Sequence, residues 1–489
     1  MPADFRRNRA LQVNPETGMH LTERLILGLP ISIRRYAQKL HSVSLADLCR
    51  RLALLFFALT LVTIPLRYRW TLQSRPAPPL YSDYLDFLLF PSDLFLIFSL
   101  LFWFSSLVLK PGQMRTGPAS LTLPLLLVTL VGWVSTFGSV DPPLSVYHAS
   151  RLLFLAGFYV FVLNETSTAG LVLPVVIQAA LQAIIGIAQV LYQSSLGLGQ
   201  FGELPLDPAR PGISIVLANG QRFLRAYGLT DHPNILGGCL AFSLILILGY
   251  FGKAARRKRL WLSAAFILIS YCLVLTFSRS AWLALAVGGL FIFLGYLAVG
   301  QKRAAATLGM LVITTGVILL PLIWQIAPYL GARLNLNGSF KTVPHEIQSL
   351  GERTLLINAA RHIVANHAWL GVGLGTTPIS MRQAYPEFSV NYQPAHFVLL
   401  DVAAETGLLG AVSYLALLTA PWLVLVKNRK KLVFSAELWT ASALLLASTV
   451  IGMLDYYTWL LAPGRLWQWL IWGLWASAYH KAFHNGEYA

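Results

Sequence analysis

Of the 489 residues, 56% are hydrophobic and only 12% are charged, and the mean hydropathy is +0.62. An ordinary soluble domain carries about 25% charged residues, so this composition excludes that class of protein. The formal charge of +17 comes from basic residues spread over short loops rather than one patch, which argues against nucleic acid as a partner.

Apolar runs of about 20 residues recur along the chain, and each is long enough to cross the hydrocarbon core of a membrane. Taken in chain order, they predict twelve transmembrane helices at about 52–66, 86–109, 119–137, 150–164, 169–193, 233–251, 259–277, 280–299, 306–324, 399–426, 436–454 and 466–480. Residues 1–51 are polar and basic and lack the early apolar core of a signal peptide. We therefore expect an all-α polytopic membrane protein with a basic cytoplasmic N-terminal segment.

The positively charged loops predict how these helices are oriented. The sixth and seventh spans are separated by "GKAARRKRL", which holds five positive charges and should be cytoplasmic. Both termini are then cytoplasmic in a multi-pass protein of the cytoplasmic (inner) membrane, and the long connection 194–232 lies at the outer face, which is periplasmic or extracellular. We expect spans one to nine at 52–324, a helical extracytoplasmic subdomain at 325–398, and spans ten to twelve with a cytoplasmic tail at 399–489.

Two outer-face segments place arginine at the membrane boundary. In "RAYGLTDHPNILGG", Arg225 precedes a span whose first helical position suits Pro233 and whose cap is Asp231 or His232. In "LTFSRSAWLAL", Arg279 lies in the tightest turn between two spans. Basic residues are uncommon on the outer side, and an ionisable residue near membrane depth is a functional candidate. Snorkelling of a lone arginine to the interface is the alternative explanation for Arg225.

Two further segments follow in the second half of the chain. "ERTLLINAARHIVANHAWLGVGLGT" indicates a helix that ends in a turn containing Gly371, Gly373 and Gly375, where backbone can approach a ligand closely. Arg353 at the start of this helix faces either the bundle or solvent. In "AHFVLLDVAAETGLLG", His396 stands at the start of an apolar run. A lone interfacial histidine is more often structural than catalytic, so this residue alone does not decide its role.

The predicted topology brings Arg225, Arg279 and His396 to the same membrane surface, although they come from three separate stretches. Two guanidinium groups suit a phosphate group, which they bind with forked hydrogen bonds. A histidine beside them stays neutral because positive neighbours lower its pKa, and it can then accept a proton from a hydroxyl group. This combination predicts glycosyl transfer from a lipid-linked sugar pyrophosphate, and that chemistry requires no metal.

These four segments, in this order over about residues 220–415, resemble the O-antigen ligase and O-antigen polymerase superfamily of bacterial envelope proteins. The resemblance implies a twelve-helix, GT-C-like membrane glycosyltransferase without a cofactor. Its partners would be an undecaprenyl-pyrophosphate-linked glycan, a lipid or glycan acceptor with a free hydroxyl, and membrane lipid. Whether the acceptor is a lipid, another repeat unit or a protein stays open.

The resemblance also implies roles for individual residues. His396 would act as the base, and Arg225 and Arg279 would bind the pyrophosphate. Arg151 and Arg353 would be further pyrophosphate contacts. Residues expected to support the site are His232, Asn234, Gly371, Gly373, Gly375 and Glu405.

Two other functions are considered. A metal-dependent oligosaccharyltransferase needs carboxylates at the outer face, and Asp83, Asp86 and Asp93 lie in or beside the first outer loop. A non-enzymatic transporter of lipid-linked glycans would place polar or charged groups deep within its spans. The middle of each predicted span is almost free of charge, which argues against transport.

Overall fold

A computed structural model describes residues 44–335, 344–428 and 435–484 of the chain. Most of the predicted basic N-terminal segment, and part of the basic loop after the tenth predicted span, therefore lie outside the described residues.

Helices make up most of the described part of the chain. They are α1 (Leu45–Thr63), α2 (Pro91–Leu109), α3 (Ala119–Val134), α4 (Pro142–Glu165), α5 (Thr168–Tyr192), α6 (Pro233–Phe251), α7 (Arg256–Leu275), α8 (Arg279–Ala298), α9 (Lys302–Gln325), α10 (Ala327–Leu334), α11 (Pro344–Asn366), α12 (Thr377–Ala384), α13 (Val398–Lys427), α14 (Ala436–Gly452), α15 (Tyr457–Leu460) and α16 (Ala462–His484). Within the described ranges, nine of them, α2–α9 and α13, have the length and hydropathy to cross a membrane. The prediction of an all-α polytopic membrane protein is confirmed.

Each of the twelve predicted spans coincides with one helix, namely α1–α9, α13, α14 and α16. The central helix is α6, in which 89% of the apolar window is buried, against 56% or less in the other eight. It packs against α5, α7, α8 and α14. A helix that is apolar on all sides is buried by its neighbours, whereas α9 exposes large apolar side chains such as Ile313 and Trp324. The outer helices therefore present apolar surface suited to lipid.

Two short antiparallel hairpins accompany the helices. The first pairs β1 (Trp70–Gln73) with β2 (Phe87–Leu89), and the second pairs β3 (Ile215–Ala218) with β4 (Gln221–Leu224). The second hairpin turns at Asn219 and Gly220, which both have positive φ. Asn-Gly suits this two-residue turn because both residues tolerate the left-handed region.

Connections that were predicted to share the outer face contact one another at one end of the bundle, here named the site end. The Arg67 amide donates to the Leu229 carbonyl at 2.7 Å, and the Ala226 amide donates to Leu275 at 3.0 Å. The 325–398 connection forms α10, α11 and α12 within its described residues. Helices α11 and α12 bury a small apolar core of their own against the connections that precede α2, α4 and α13. The site end is thus built from several distant parts of the sequence.

Candidate active site

A cavity of about 500 Å³ opens at the N-terminus of α6. The β3–β4 hairpin with the loop before it, α10, the start of α11 and the segment before α13 form its walls. Five of the residues singled out from the sequence line this cavity together: Arg225, His232, Asn234, Arg353 and His396.

Arg225 is 3% exposed and donates hydrogen bonds to Thr276, Ser214 and Asn234. Its Nε donates to the Thr276 carbonyl at 2.7 Å, its Nη1 to the Ser214 hydroxyl at 2.8 Å and its Nη2 to the Asn234 side-chain oxygen at 2.7 Å. These partners belong to the loop before β3, the α7–α8 turn and α6. Arg225 therefore ties two elements that line the cavity to the α7–α8 turn, and it contributes a positive charge to the cavity.

His232 is the N-cap of α6, with Pro233 at the first helical position. Its Nδ1 accepts a hydrogen bond from the Asn234 amide at 3.1 Å, so the neutral ring carries its proton on Nε2. Burial lowers the pKa of His232 well below its ordinary value, and the charge of Arg225 lowers it further. The cap thus remains neutral and keeps its acceptor at neutral pH.

His396 is half-buried, and its ring meets the Tyr456 ring edge-on with centroids 5.1 Å apart. Its Nδ1 has no hydrogen-bond partner among the described residues. Burial lowers the pKa of His396; the Asp455 carboxylate opposes this effect and the Arg353 guanidinium adds to it. The amide of Ala395, the residue before His396, donates to the Asp401 carboxylate at 2.8 Å, and this bond fixes the backbone beside the ring. The arrangement provides a neutral imidazole at the cavity wall.

Asp455 was not identified from the sequence. It follows α14, is 5% exposed and accepts a hydrogen bond from the Asn234 side chain at 2.9 Å. A chain of contacts therefore runs from Arg225 through Asn234 to Asp455, whose negative charge acts on His396. The signal available in the sequence was a single carboxylate in "GMLDYYTWL", at the end of an apolar span.

Two more arginines that sequence reasoning did not assign, Arg222 and Arg333, line the cavity. With Arg225 and Arg353, the lining contains four arginines against one carboxylate, Glu352. Since the histidines are neutral, the lining carries a formal charge of three positive. This surplus makes the cavity suited to a multiply charged anion.

Arg279 does not line this cavity. It stands at the first position of α8, and its Nη1 donates to the backbone carbonyl of Arg333 at 3.4 Å. Arg333 in turn donates from Nε to the Phe277 carbonyl at 3.0 Å. The arginine expected to bind pyrophosphate therefore contacts a second arginine that does reach the cavity.

Arg151 lies elsewhere at the site end, beside a cavity of about 40 Å³. Its Nη2 lies 2.8 Å from both carboxylate oxygens of Asp93, and its guanidinium packs over the Phe90 and Tyr147 rings. Arg151 and Asp93 therefore form an ion pair between α4 and α2. The structure does not bring Arg151 together with His396.

The three glycines of the predicted ligand turn contact protein rather than the cavity. Helix α13 is interrupted at Gly407, whose φ is 74° and ψ −177°, and the turn docks at this break. A Cβ on Gly371 would lie 2.3 Å from the Glu405 carbonyl carbon, and one on Gly407 would lie 2.1 Å from the Trp369 oxygen. The amides of Val372 and of the residue after it donate to α13 carbonyls at 2.9 and 3.0 Å. The glycines permit this close approach of two backbones.

Gly373 and Gly375 lie against α4 and the loop before it. A Cβ on Gly373 would meet the Ser139 and Ser145 hydroxyl oxygens, and one on Gly375 would meet the His148 ring. Glu405, also expected to support the site, is fully buried in α13 and accepts from the Trp459 indole at 2.8 Å. These residues pack the helices behind the cavity wall.

The three aspartates of the metal-dependent alternative are each engaged by neighbouring groups. Asp83 pairs with Arg69, Asp86 accepts from the Arg75 amide at 2.6 Å, and Asp93 pairs with an α4 arginine. Among the described residues, no three His, Cys, Asp or Glu side chains gather as a metal-binding group.

A family model described as O-antigen ligase matches residues 264–415. No curated protein matches the chain. The matched segment includes Arg279, Arg353, the glycine turn and His396, and it excludes Arg225 and Asp455. Residues 264–415 are therefore similar to O-antigen ligases, and three of the four sequence segments that carried the resemblance lie within this range.

Proposed function

We propose that this protein is a membrane glycosyltransferase that moves a glycan from an undecaprenyl-pyrophosphate carrier to an acceptor hydroxyl. The observation that carries the proposal is one cavity in which four arginines adjoin a neutral histidine. The similarity of residues 264–415 to O-antigen ligases supports the same class of reaction.

The cavity supports binding of the pyrophosphate through two features. Its arginines supply forked donors for phosphate oxygens, and the N-terminus of α6 adds the positive end of a helix dipole. Negative charge grows on the pyrophosphate as its bond to the sugar breaks. Fixed positive groups that stabilise this growing charge lower the barrier.

His396 supports the other half of the reaction. The acceptor hydroxyl oxygen attacks the anomeric carbon, while the carbon–oxygen bond to the pyrophosphate breaks and its electron pair leaves with the pyrophosphate oxygen. The imidazole accepts the hydroxyl proton during this step. A single displacement of this kind inverts the configuration at the anomeric carbon, and the released product is undecaprenyl pyrophosphate.

The proposal is tested with purified protein in detergent and EDTA, an undecaprenyl-pyrophosphate-linked oligosaccharide, and lipid, glycan and protein acceptors in separate reactions. Release of undecaprenyl pyrophosphate is measured for the wild type, for His396→Ala and for the matched control His367→Ala, whose ring is exposed. We expect activity in EDTA that is lost only in His396→Ala, and the acceptor consumed identifies the subtype. Turnover that EDTA abolishes, or that His396→Ala leaves intact, would contradict this mechanism.

We also propose that both termini are cytoplasmic and that the cavity faces the periplasm. The three native cysteines are buried, so single introduced cysteines can report accessibility. Ala209→Cys at the cavity and Ala255→Cys in the basic loop replace the same exposed residue type at opposite ends of the bundle. A membrane-impermeant maleimide should label only the first in cells with a permeabilised outer membrane. Labelling of only the second would reverse the orientation.

A further inference from the structure

The α7–α8 turn holds two of the cavity arginines through its backbone. The Thr276 carbonyl accepts from Arg225 Nε at 2.7 Å, and the next carbonyl, of Phe277, accepts from Arg333 Nε at 3.0 Å. Arg279, two residues on, donates to the Arg333 carbonyl at 3.4 Å. Both the side chain and the backbone carbonyl of Arg333 are therefore hydrogen-bonded to this turn.

The turn has an uncommon backbone conformation that packing stabilises. Phe277 has φ 49°, a left-handed value that is uncommon for a residue with a large side chain. Its ring is fully buried, 5.9 Å from the Phe223 ring in an edge contact and 6.4 Å from Trp282. The burial of this ring keeps the two successive carbonyls directed at the two arginines.

We propose that Arg333 contacts the pyrophosphate of the donor and that Arg279 is a positioning residue which acts through Arg333. This inference rests on the proposed function. Arg333 lines the cavity with Arg225 and Arg353, whereas Arg279 does not. The charge of Arg333 also reaches His232, whose pKa it helps to lower. The α7–α8 turn thus fixes the geometry of the pyrophosphate site, although the turn itself does not line the cavity.

Direct binding tests this inference separately from turnover. Geranyl pyrophosphate is titrated by calorimetry into the full-length protein in detergent, for the wild type, Arg333→Gln, Arg279→Gln and the double variant. Arg361→Gln is the control, because that arginine is exposed on α11 and its loss changes the net charge equally. Thermal unfolding is recorded for each variant.

We expect Arg333→Gln to weaken binding about ten- to hundredfold, the range for loss of hydrogen bonds from a charged group. Arg279→Gln should weaken it by about tenfold or less, since only the placement of Arg333 changes. The double variant should bind no more weakly than Arg333→Gln alone, because a positioning residue has no effect once its target is gone. Arg361→Gln should bind as the wild type does.

Three outcomes would overturn the inference in different ways. Unchanged binding in Arg333→Gln, with a tight wild type, refutes the Arg333 contact and leaves the proposed function standing. Additive losses in the double variant show that Arg279 touches the pyrophosphate itself. A wild type that does not bind the probe refutes the pyrophosphate donor and this inference together. If Arg333→Gln unfolds, Arg333→Lys replaces it, and it should bind more weakly than wild type because lysine lacks the planar fork.

Discussion

Replacing His396 by alanine should abolish activity while leaving the fold nearly as stable as before. The ring is half-buried, its Nδ1 has no hydrogen-bond partner among the described residues, and the described ring contact is with Tyr456 at 5.1 Å. An edge-to-face aromatic pair contributes about 0.5–1.5 kcal/mol, so the free energy of unfolding should fall by about 1 kcal/mol. Loss of a general base slows a reaction by about 10²–10⁴, which is about 3–5 kcal/mol of barrier. The effect on rate should therefore exceed the effect on stability.

Arg225 provides the contrast. Its buried guanidinium donates to Thr276, Ser214 and Asn234, and the Thr276 carbonyl it serves is itself buried. Hydrogen bonds from a charged donor contribute about 1.5–3 kcal/mol each, so Arg225→Ala should destabilise the protein by at least about 3 kcal/mol. A loss of activity in Arg225→Ala would therefore combine the effect of destabilisation with any effect on catalysis.

The assay measures the initial rate of undecaprenyl pyrophosphate release at pH 7.5 and thermal unfolding of the same preparations by tryptophan fluorescence. His396→Ala should lose activity with a melting temperature close to the wild type, and Arg225→Ala should lose both. A His396→Ala protein with a melting temperature as low as that of Arg225→Ala would show that the ring has a structural role beyond its contact with Tyr456. A rate within threefold of the wild type would refute its role as the base.

Two further predictions concern pH and packing. The proposed base works unprotonated, and burial lowers the pKa of His396 below its ordinary value of 6.5, so the rate should fall only at a pH below 6.5. Arg353 lowers this pKa, so Arg353→Gln should move the acid limb of the pH–rate profile to higher pH. Asp455 raises the pKa, so Asp455→Asn should move the limb to lower pH. Identical limbs in the three pH–rate profiles would contradict this account. Gly371→Ala should destabilise the protein by more than about 3 kcal/mol, because the added Cβ would lie 2.3 Å from the α13 backbone. Gly351→Ala on helix α11 is the control: its Cβ would have no neighbour within 4 Å, so thermal unfolding should show a neutral or stabilising effect. Equal melting temperatures for the two alanine variants would refute the packing argument.

The helices and the grouping of the site residues could be predicted because both depend on simple constraints. A run of about 20 apolar residues has one stable arrangement in lipid, so each predicted span coincides with a helix. Alternation of the spans across the membrane then brought Arg225 and His396 to one end, and they line one cavity. Arg353, left undecided between bundle and solvent, lines the same cavity.

The destinations of individual long side chains could not be predicted in the same way. Arg151 finds Asp93, which is 58 positions away in sequence, and that pairing depends on how α2 packs against α4. Arg333 belongs to no pattern in the sequence, and its placement depends on a hydrogen bond to the carbonyl of Phe277, a residue in the left-handed conformation. One signal was available but unused: the Asn-Gly pair at 219–220 indicates the hairpin that forms a cavity wall.

The glycine turn shows how a correct local inference can leave the partner open. Three glycines predicted close approach of backbone to another group, and the structure shows that approach at Gly371 and Gly373. Their neighbours are the backbone of α13 and two serine hydroxyls instead of a ligand. Positive φ and the absence of a Cβ serve either purpose equally, so sequence alone could not distinguish them.

The docking of this turn matters to the site because α13 carries Asp401, which fixes the backbone beside the proposed base, His396. The turn's amides bind α13 carbonyls just before its break at Gly407, which places the short first segment of the helix. Asp401 lies in that segment and holds the Ala395 amide at 2.8 Å, next to His396. A shift of the segment would therefore move the imidazole relative to the arginines, which come from other elements. Residues buried behind the cavity wall would thus act on the proposed reaction by fixing the distance between His396 and the cavity arginines.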